Sequence, residues 1–115
     1  MKFTFENEFE YIPVFNNNRE DSQPIKAKFR YLTTPEREKY IQVDYVSIDG
    51  VMERRTSFDY TGILKASLIS LENCEPNGQK VTTAKALLEF EGLSQLSNEL
   101  ADYATGKNIT PDLKN

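Results

Sequence analysis

The hydrophobic pattern of this chain changes its period near the middle, and this change limits the folds that the chain can form. Up to Phe58, apolar residues recur at every second position, most clearly over residues 25–31. From Tyr60 onward they recur at every third or fourth position, which is the spacing of an amphipathic helix. Strands gathered in one half and helices in the other predict an α+β fold rather than alternating βαβ units.

The N-terminal half is predicted to contain antiparallel strands and a β-hairpin. Residues 9–15 place aromatic side chains on one face, and Pro13 makes that segment an edge strand or a bulge. Residues 25–31 predict a strand with a basic, solvated face. Asp49 and Gly50 lie between two extended runs and favour a type I′ turn, so residues 41–58 are predicted to form a hairpin.

Short polar motifs mark where the helices begin and end. Thr33 and Glu36 have the spacing of a capping box, which predicts a short helix ending near Tyr40. Thr82 or Thr83 is expected to cap a later helix, which Gly92 ends, and Gly106 is expected to end the last one.

Three amphipathic helices are predicted in the C-terminal half, packed against the strands of the first half. The first of them has an apolar stripe of Tyr60, Leu64, Leu68 and Leu71. We expect a single domain over residues 1–107, followed by a flexible C-terminal tail over residues 108–115.

The composition argues against most enzymes. The 115 residues include no histidine, no tryptophan and one cysteine, Cys74, which therefore has no histidine to activate it as a nucleophile. The carboxylates show no spacing typical of a metal site. We therefore expect no catalytic residues, no metal and no cofactor, and we interpret Cys74 as a structural thiol.

The charge of the chain limits its partners. Its 18 acidic and 14 basic residues give a net charge of −4, which disfavours binding to nucleic acid or to an anionic membrane. The N-terminus has no apolar signal segment, and no apolar run reaches the roughly 20 residues that span a bilayer. These features predict a soluble protein of the cytoplasm.

An apolar stripe near the C-terminus is the predicted partner-binding surface. Its members share one helical face, or belong to the amphipathic helix just before it, and the pattern leaves open whether they form the core or an exposed surface. The predicted partner-binding residues are Leu87, Leu88, Leu93, Leu96, Leu100 and Tyr103.

Several segments between residues 25 and 107 resemble tail assembly chaperones of tailed bacteriophages. Residues 30–37 resemble the strand-to-helix opening of these proteins, and residues 58–65 with 69–73 are similar to the segment that follows it. A threonine-capped helix at 81–88, followed by Gly92 and a leucine-rich helix through residue 100, is similar to the ending of many small phage tail proteins. The aromatic segment up to Phe15 has no counterpart.

The resemblance implies a function in virion assembly inside the bacterial host cytoplasm. Such chaperones bind the hydrophobic tape measure protein and keep it soluble while the tail tube polymerises, and they need no active site. Self-association into a homo-oligomer stays open at this stage. The alternatives are a structural virion subunit, such as a tail-completion or connector protein joined through residues 9–15 or 41–58, an enzyme that uses carboxylates alone, and a host regulatory or antitoxin-like binding module.

Overall fold

The computed structural model describes residues 1–3 and 7–109 and confirms an α+β fold with antiparallel strands. The strands and helices of this part of the chain are β1 (Glu8–Tyr11), β2 (Lys26–Arg30), α1 (Thr34–Tyr40), β3 (Ile41–Ile48), β4 (Val51–Phe58), α2 (Tyr60–Ser67), β5 (Leu68–Glu72), α3 (Ala84–Glu89) and α4 (Ser94–Ile109). Short 3-10 turns lie at Phe15–Glu20 and Pro76–Gly78.

The strands form two separate sheets. One is a three-stranded antiparallel sheet in the order β1-β2-β5, in which Phe29 of β2 lies opposite Phe9 of β1. The other is the β3–β4 hairpin, paired continuously from Ile41 opposite Phe58 to Ile48 opposite Val51. We call residues 41–58 the arm and the remaining described residues the body.

The core lies entirely within the body. The inner side chains of the three-stranded sheet, represented by Phe29, pack with α2, α3 and α4. Strand β2 alternates as predicted, with Lys26 and Lys28 exposed and Ala27 and Phe29 buried. The largest fully buried apolar side chains are Phe29, Ile63, Leu64, Val81, Leu87, Leu96 and Leu100.

One of the predicted helices is shorter than its apolar stripe indicates. Helix α2 ends at Ser67, and Leu68 and Leu71, expected on the helix, belong to strand β5. Leu71 lies opposite Ala27 of β2, and both are buried. The sequence 68–71 is apolar enough to fit either period, so pairing with the free edge of β2 decided its structure.

The last helix is longer than predicted and runs two residues past the predicted domain boundary at residue 107. Gly106 lies inside α4, which continues to Ile109. Asn108 is 2% exposed; its side-chain oxygen accepts a hydrogen bond from the Leu32 N–H at 2.8 Å, and its amide donates to the Ala104 carbonyl at 2.8 Å. These bonds fix the helix end to the chain before α1. Residues 110–115 of the predicted tail lie outside the described residues.

Glu99 of α4 holds the chain that follows β1. Its carboxylate accepts hydrogen bonds from the Tyr11 hydroxyl at 2.6 Å and from the N–H groups of Val14 and Phe15 at 2.7 and 3.1 Å. Burial, and next the bond to Glu99, raise the pKa of Tyr11 to about 12. The predicted extended segment 9–15 therefore stops being a strand after Tyr11 and turns onto α4.

Three local helix and turn signals are confirmed. Thr33 and Glu36 form the capping box of α1, and Thr83 caps α3 through the N–H of Ala86 at 3.1 Å. Asp49 and Gly50 have φ values of +51° and +80°, the left-handed conformation that a type I′ turn requires.

Candidate partner-binding surface

The arm leaves the body as a two-stranded hairpin with no further strand on either edge among the described residues. Each strand has eight residues, which corresponds to a length of about 27 Å. The Cα radius of gyration of 16.7 Å exceeds the value of about 13 Å expected for a compact chain of this size. The core residues all lie in the body.

Both faces of the arm carry apolar side chains. Because neighbouring residues of a strand point to opposite faces, the register assigns each pair of residues to one face. The inner face consists of Ile41, Val43, Tyr45, Ser47, Met52, Arg54, Thr56 and Phe58. The outer face consists of Gln42, Asp44, Val46, Ile48, Val51, Glu53, Arg55 and Ser57.

Several apolar side chains of the outer arm are more exposed than those at its base. Ile41 and Phe58 at the base are half-buried and pack against the core. Farther out, Tyr45, Val51 and Met52 are 66%, 66% and 64% exposed. An isolated hairpin is marginally stable in water at best, and large exposed apolar patches mark interaction sites. The outer part of the arm is therefore the strongest candidate for a binding surface.

A groove of about 510 Å³ lies where the inner face meets the body. Its floor is apolar, with Ile41, Val43 and Phe58 from the arm and Ile109 from the end of α4. The remaining lining residues are the polar or charged Thr34, Arg37, Glu38, Arg54, Thr56 and Asn108. The charged residues of this lining are Arg37, Glu38 and Arg54.

The charges of the arm are divided unequally between its faces. All eight residues of the inner face are among the described residues, and Arg54 is the one charged residue among them. On the outer face, Arg55 pairs with Glu53 at 3.7 Å and lies opposite Asp44 in the register. The inner face is therefore apolar with one cation, whereas the outer face carries charges of both signs.

Hydrogen bonds hold together the body segments from which the arm emerges. The Asp59 N–H donates to the Tyr40 carbonyl at 2.8 Å, joining the two chain ends of the hairpin. Arg30 of β2 binds both carboxylate oxygens of Glu36 in α1, at 2.8 and 2.7 Å. This bidentate bond, followed by the backbone bond from Thr33, lowers the pKa of Glu36 to about 2. The two chain ends of the hairpin are thus joined where they enter the body.

Most of the predicted partner-binding stripe lies in the core. Leu96 and Leu100 are 0% exposed, and Leu87 and Leu93 are 1% and 7% exposed. Leu96 and Leu100 lie on α4, which packs mainly against α2. Leu87 lies on α3 and Leu93 just before α4, and all four belong to the same core cluster. The expectation that these four leucines form an accessible binding surface is therefore corrected: in this fold they are core residues.

The other two predicted residues are half-buried. Leu88 lies in a shallow depression beside Phe90 at the junction of α3 and α4. Tyr103 stacks on Tyr11 with ring centroids 3.9 Å apart and contacts Phe9 at 5.8 Å, so its ring belongs to an aromatic cluster that joins α4 to β1. Neither side chain adds to the arm.

The residues considered for chemistry lie apart from one another. Cys74 is buried, and desolvation raises the pKa of its thiol, which disfavours the reactive thiolate. Over residues 1–3 and 7–109, no group of three or more potential ligands is placed to hold a metal ion. No helix in this part of the chain has the length and apolarity needed to cross a bilayer.

The sequence of residues 41–58 itself indicates an exposed apolar surface, although the helical stripe near the C-terminus has the more regular pattern. Residues 41–58 alternate over a long span, but the outer face also contains Val46, Ile48 and Val51. A two-stranded hairpin with apolar residues on both faces cannot bury all of them against one body. By contrast, the contribution of Ile109 and Arg37 to the groove depends on packing that sequence patterns do not report.

No protein-family model, curated protein or solved structure matches this chain.

Proposed function

We propose that this protein is a noncatalytic assembly factor that binds another polypeptide, and that it is a tail assembly chaperone which keeps a phage tape measure protein soluble during tail formation. The proposal combines the resemblance of residues 25–107 with one structural observation. That observation is the projecting arm, whose Tyr45, Val51 and Met52 are each about two-thirds exposed.

The arm supports this proposal because its chemistry suits an extended hydrophobic partner. Both hairpin edges are free among the described residues, so an added strand can bond to backbone N–H and C=O groups while its side chains contact the apolar faces. Main-chain pairing tolerates many sequences, which suits a protein that holds successive segments of a long chain. We therefore propose that the arm, and not the set of buried leucines, is the binding surface.

A direct test is co-expression with a tape measure protein, followed by measurement of its soluble fraction and by pull-down. The variant Tyr45→Asp with Met52→Asp places two charges on the inner face of the arm. We expect it to remain folded and to lose at least tenfold in bound tape measure protein, because desolvating these carboxylates opposes burial.

The matched control is Ile69→Asp, which changes an apolar residue that is 43% exposed on β5 of the body. This control should bind as the unmodified chain does. If the arm variant is folded by circular dichroism and still binds normally, the arm is not the binding surface. If the unmodified chain neither binds nor solubilises tape measure protein, the chaperone function is rejected.

The second candidate function is a structural virion subunit, such as a tail-completion or connector protein. The same arm favours it, because a projecting hairpin can join neighbouring subunits. Mass spectrometry of purified particles separates the two functions. A chaperone should be absent from the particle, whereas a structural subunit should be present in a fixed copy number.

A further inference from the structure

The two edges of the arm offer the same backbone pattern. A two-residue turn closes with a backbone hydrogen bond between its flanking residues, so Ile48 and Val51 form a hydrogen-bonded pair, and every second pair after it is of the other kind. Alternate residues therefore direct their N–H and C=O groups away from the hairpin. On the outer arm these residues are Val43, Tyr45 and Ser47 of β3 and Met52, Arg54 and Thr56 of β4.

The side chains of the two edges differ in charge. Strand β3 carries one charged residue, Asp44, whereas β4 carries Glu53, Arg54 and Arg55. Charged side chains on an edge oppose the addition of an apolar strand, because that strand would remove them from water. The edge that suits an apolar extended chain is therefore β3.

Asp44 gives the β3 edge a preference for a cation. Its side chain lies on the outer face, is exposed, and takes part in no ion pair among the described residues. Arg55, which lies opposite it in the hairpin, pairs with Glu53. Residues opposite each other on neighbouring strands share a face, so an added strand can place a cation beside Asp44 and apolar side chains beside Val43 and Tyr45.

A second copy of this chain suits the edge less well. Strand β3 contains no cation, so β3 of another copy would leave Asp44 without a charge partner. Antiparallel pairing with β4 of another copy would set two molecules in the same orientation about 10 Å apart, which is two strand spacings. The smallest extent of the molecule is 24 Å, so the two bodies would overlap. These observations favour a different polypeptide.

We propose that the arm holds its partner on the β3 edge, and that the bound segment is an extended strand with apolar residues at alternate positions and a lysine or arginine opposite Asp44. The strand bonds to the outward backbone groups of β3, and its apolar side chains pack beside Val43 and Tyr45. This inference rests on the proposed function, because it specifies which part of the arm binds the polypeptide and what that polypeptide must contain.

The test uses the full chain and two synthetic peptides. One nine-residue peptide alternates threonine and valine, begins and ends with threonine, and has lysine in place of the central threonine; the other has glutamate there. The valines of an extended peptide share one face, and the central residue lies on the other. The lysine peptide should bind at least about threefold more tightly in a calorimetric titration, and Asp44→Asn should abolish this difference.

Hydrogen exchange of the backbone amides, followed by NMR, shows which edge the peptide occupies. With saturating lysine peptide, the N–H groups of Val43, Tyr45 and Ser47 should exchange at least about tenfold more slowly, because they become hydrogen-bonded. The outward N–H groups of Arg54 and Thr56 on β4 should be unchanged.

Proline substitution tests the two edges with matched variants. Ser47→Pro removes an outward N–H of β3, and Thr56→Pro removes one of β4, both at exposed positions. Ser47→Pro should weaken binding of the lysine peptide at least about tenfold, since proline cannot donate to an added strand. Thr56→Pro should bind as the unmodified chain does, and so should Ser47→Ala, which keeps the N–H.

Any of four outcomes overturns the proposal: no binding of the lysine peptide up to millimolar concentration, equal affinity for the two peptides, protection of the β4 amides in place of those of β3, or normal binding by a folded Ser47→Pro variant. Protection of the β3 amides in the free protein as its concentration rises would assign the edge to a second copy and also overturn it. If Ser47→Pro does not fold, the exchange measurement decides.

Binding of tape measure protein is measured separately, so the two proposals can fail independently. If tape measure protein is bound but the peptide does not protect β3, the edge assignment fails and the chaperone proposal stands. If the peptide protects β3 but tape measure protein is not bound, the chaperone proposal fails alone.

Discussion

The body and the arm contain similar apolar residues but use them differently. In the body, Leu96 and Leu100 are fully buried between α4, α2 and the three-stranded sheet. In the arm, Tyr45 and Met52 do not pack against the body and are largely exposed. An apolar side chain therefore contributes to folding or to association according to what lies opposite it, and hydrophobicity alone does not decide between these roles.

The largest difference between the two regions is expected from core truncation. Leu96→Ala should lower the free energy of unfolding by about 2–5 kcal/mol, because it leaves a cavity among fully buried neighbours. Met52→Ala in the arm should change it by no more than about 0.5 kcal/mol. Urea unfolding followed by circular dichroism measures both. Equal effects would show that the arm is as tightly packed as the body.

Asn108 tests whether the end of α4 belongs to the body. Asn108→Ala removes the acceptor of the buried Leu32 N–H, and an unsatisfied buried donor costs about 1–3 kcal/mol. Unfolding should be easier by this amount in a denaturant titration. Lys107→Ala, at the neighbouring half-buried position, is the comparison and should cost less. No loss for Asn108→Ala would show that its hydrogen bond to Leu32 does not stabilise the fold.

The Arg30–Glu36 pair at the base of the arm should produce a smaller, pH-dependent effect. The folded protein lowers the pKa of Glu36 from its ordinary 4.5 to about 2, mainly through the bond from Arg30. This contribution is complete above pH 4.5 and is lost as the pH falls toward 2. Glu36→Gln should therefore flatten the fall in stability over that range, measured by thermal unfolding at several pH values. An unchanged profile would mean that the pair contributes nothing.

The turn of the arm should be the least sensitive to substitution. Asp49→Asn keeps a residue that tolerates the left-handed conformation and creates the Asn-Gly pair preferred in type I′ turns, so stability should change by less than about 0.5 kcal/mol. A large loss of stability would show that the Asp49 carboxylate supports the hairpin itself.

The sequence predicted those elements whose signals are local. The capping box of Thr33 and Glu36, the Thr83 cap and the turn at Asp49-Gly50 each depend on residues within a few positions of one another. The errors arose where distant contacts decided the outcome. Residues 68–72 pair with β2 instead of continuing α2, and α4 passes Gly106 because Asn108 is bonded to Leu32 across the fold.

The candidate binding surface shows the same division. An apolar helical stripe has one pattern whether it is buried or exposed, so the sequence could not tell that Leu96 and Leu100 would be covered. It could indicate a hairpin over residues 41–58, but not that this hairpin would extend beyond the body.

By itself, the sequence determined that this chain has a strand-rich half with a hairpin and a helix-rich half with an apolar stripe, because hydrophobic period, caps and turns are properties of neighbouring residues. Only the tertiary structure decided which apolar surfaces are covered. Burial depends on residues far apart in the chain, as where α4 packs against α2 and the three-stranded sheet but leaves the outer arm uncovered.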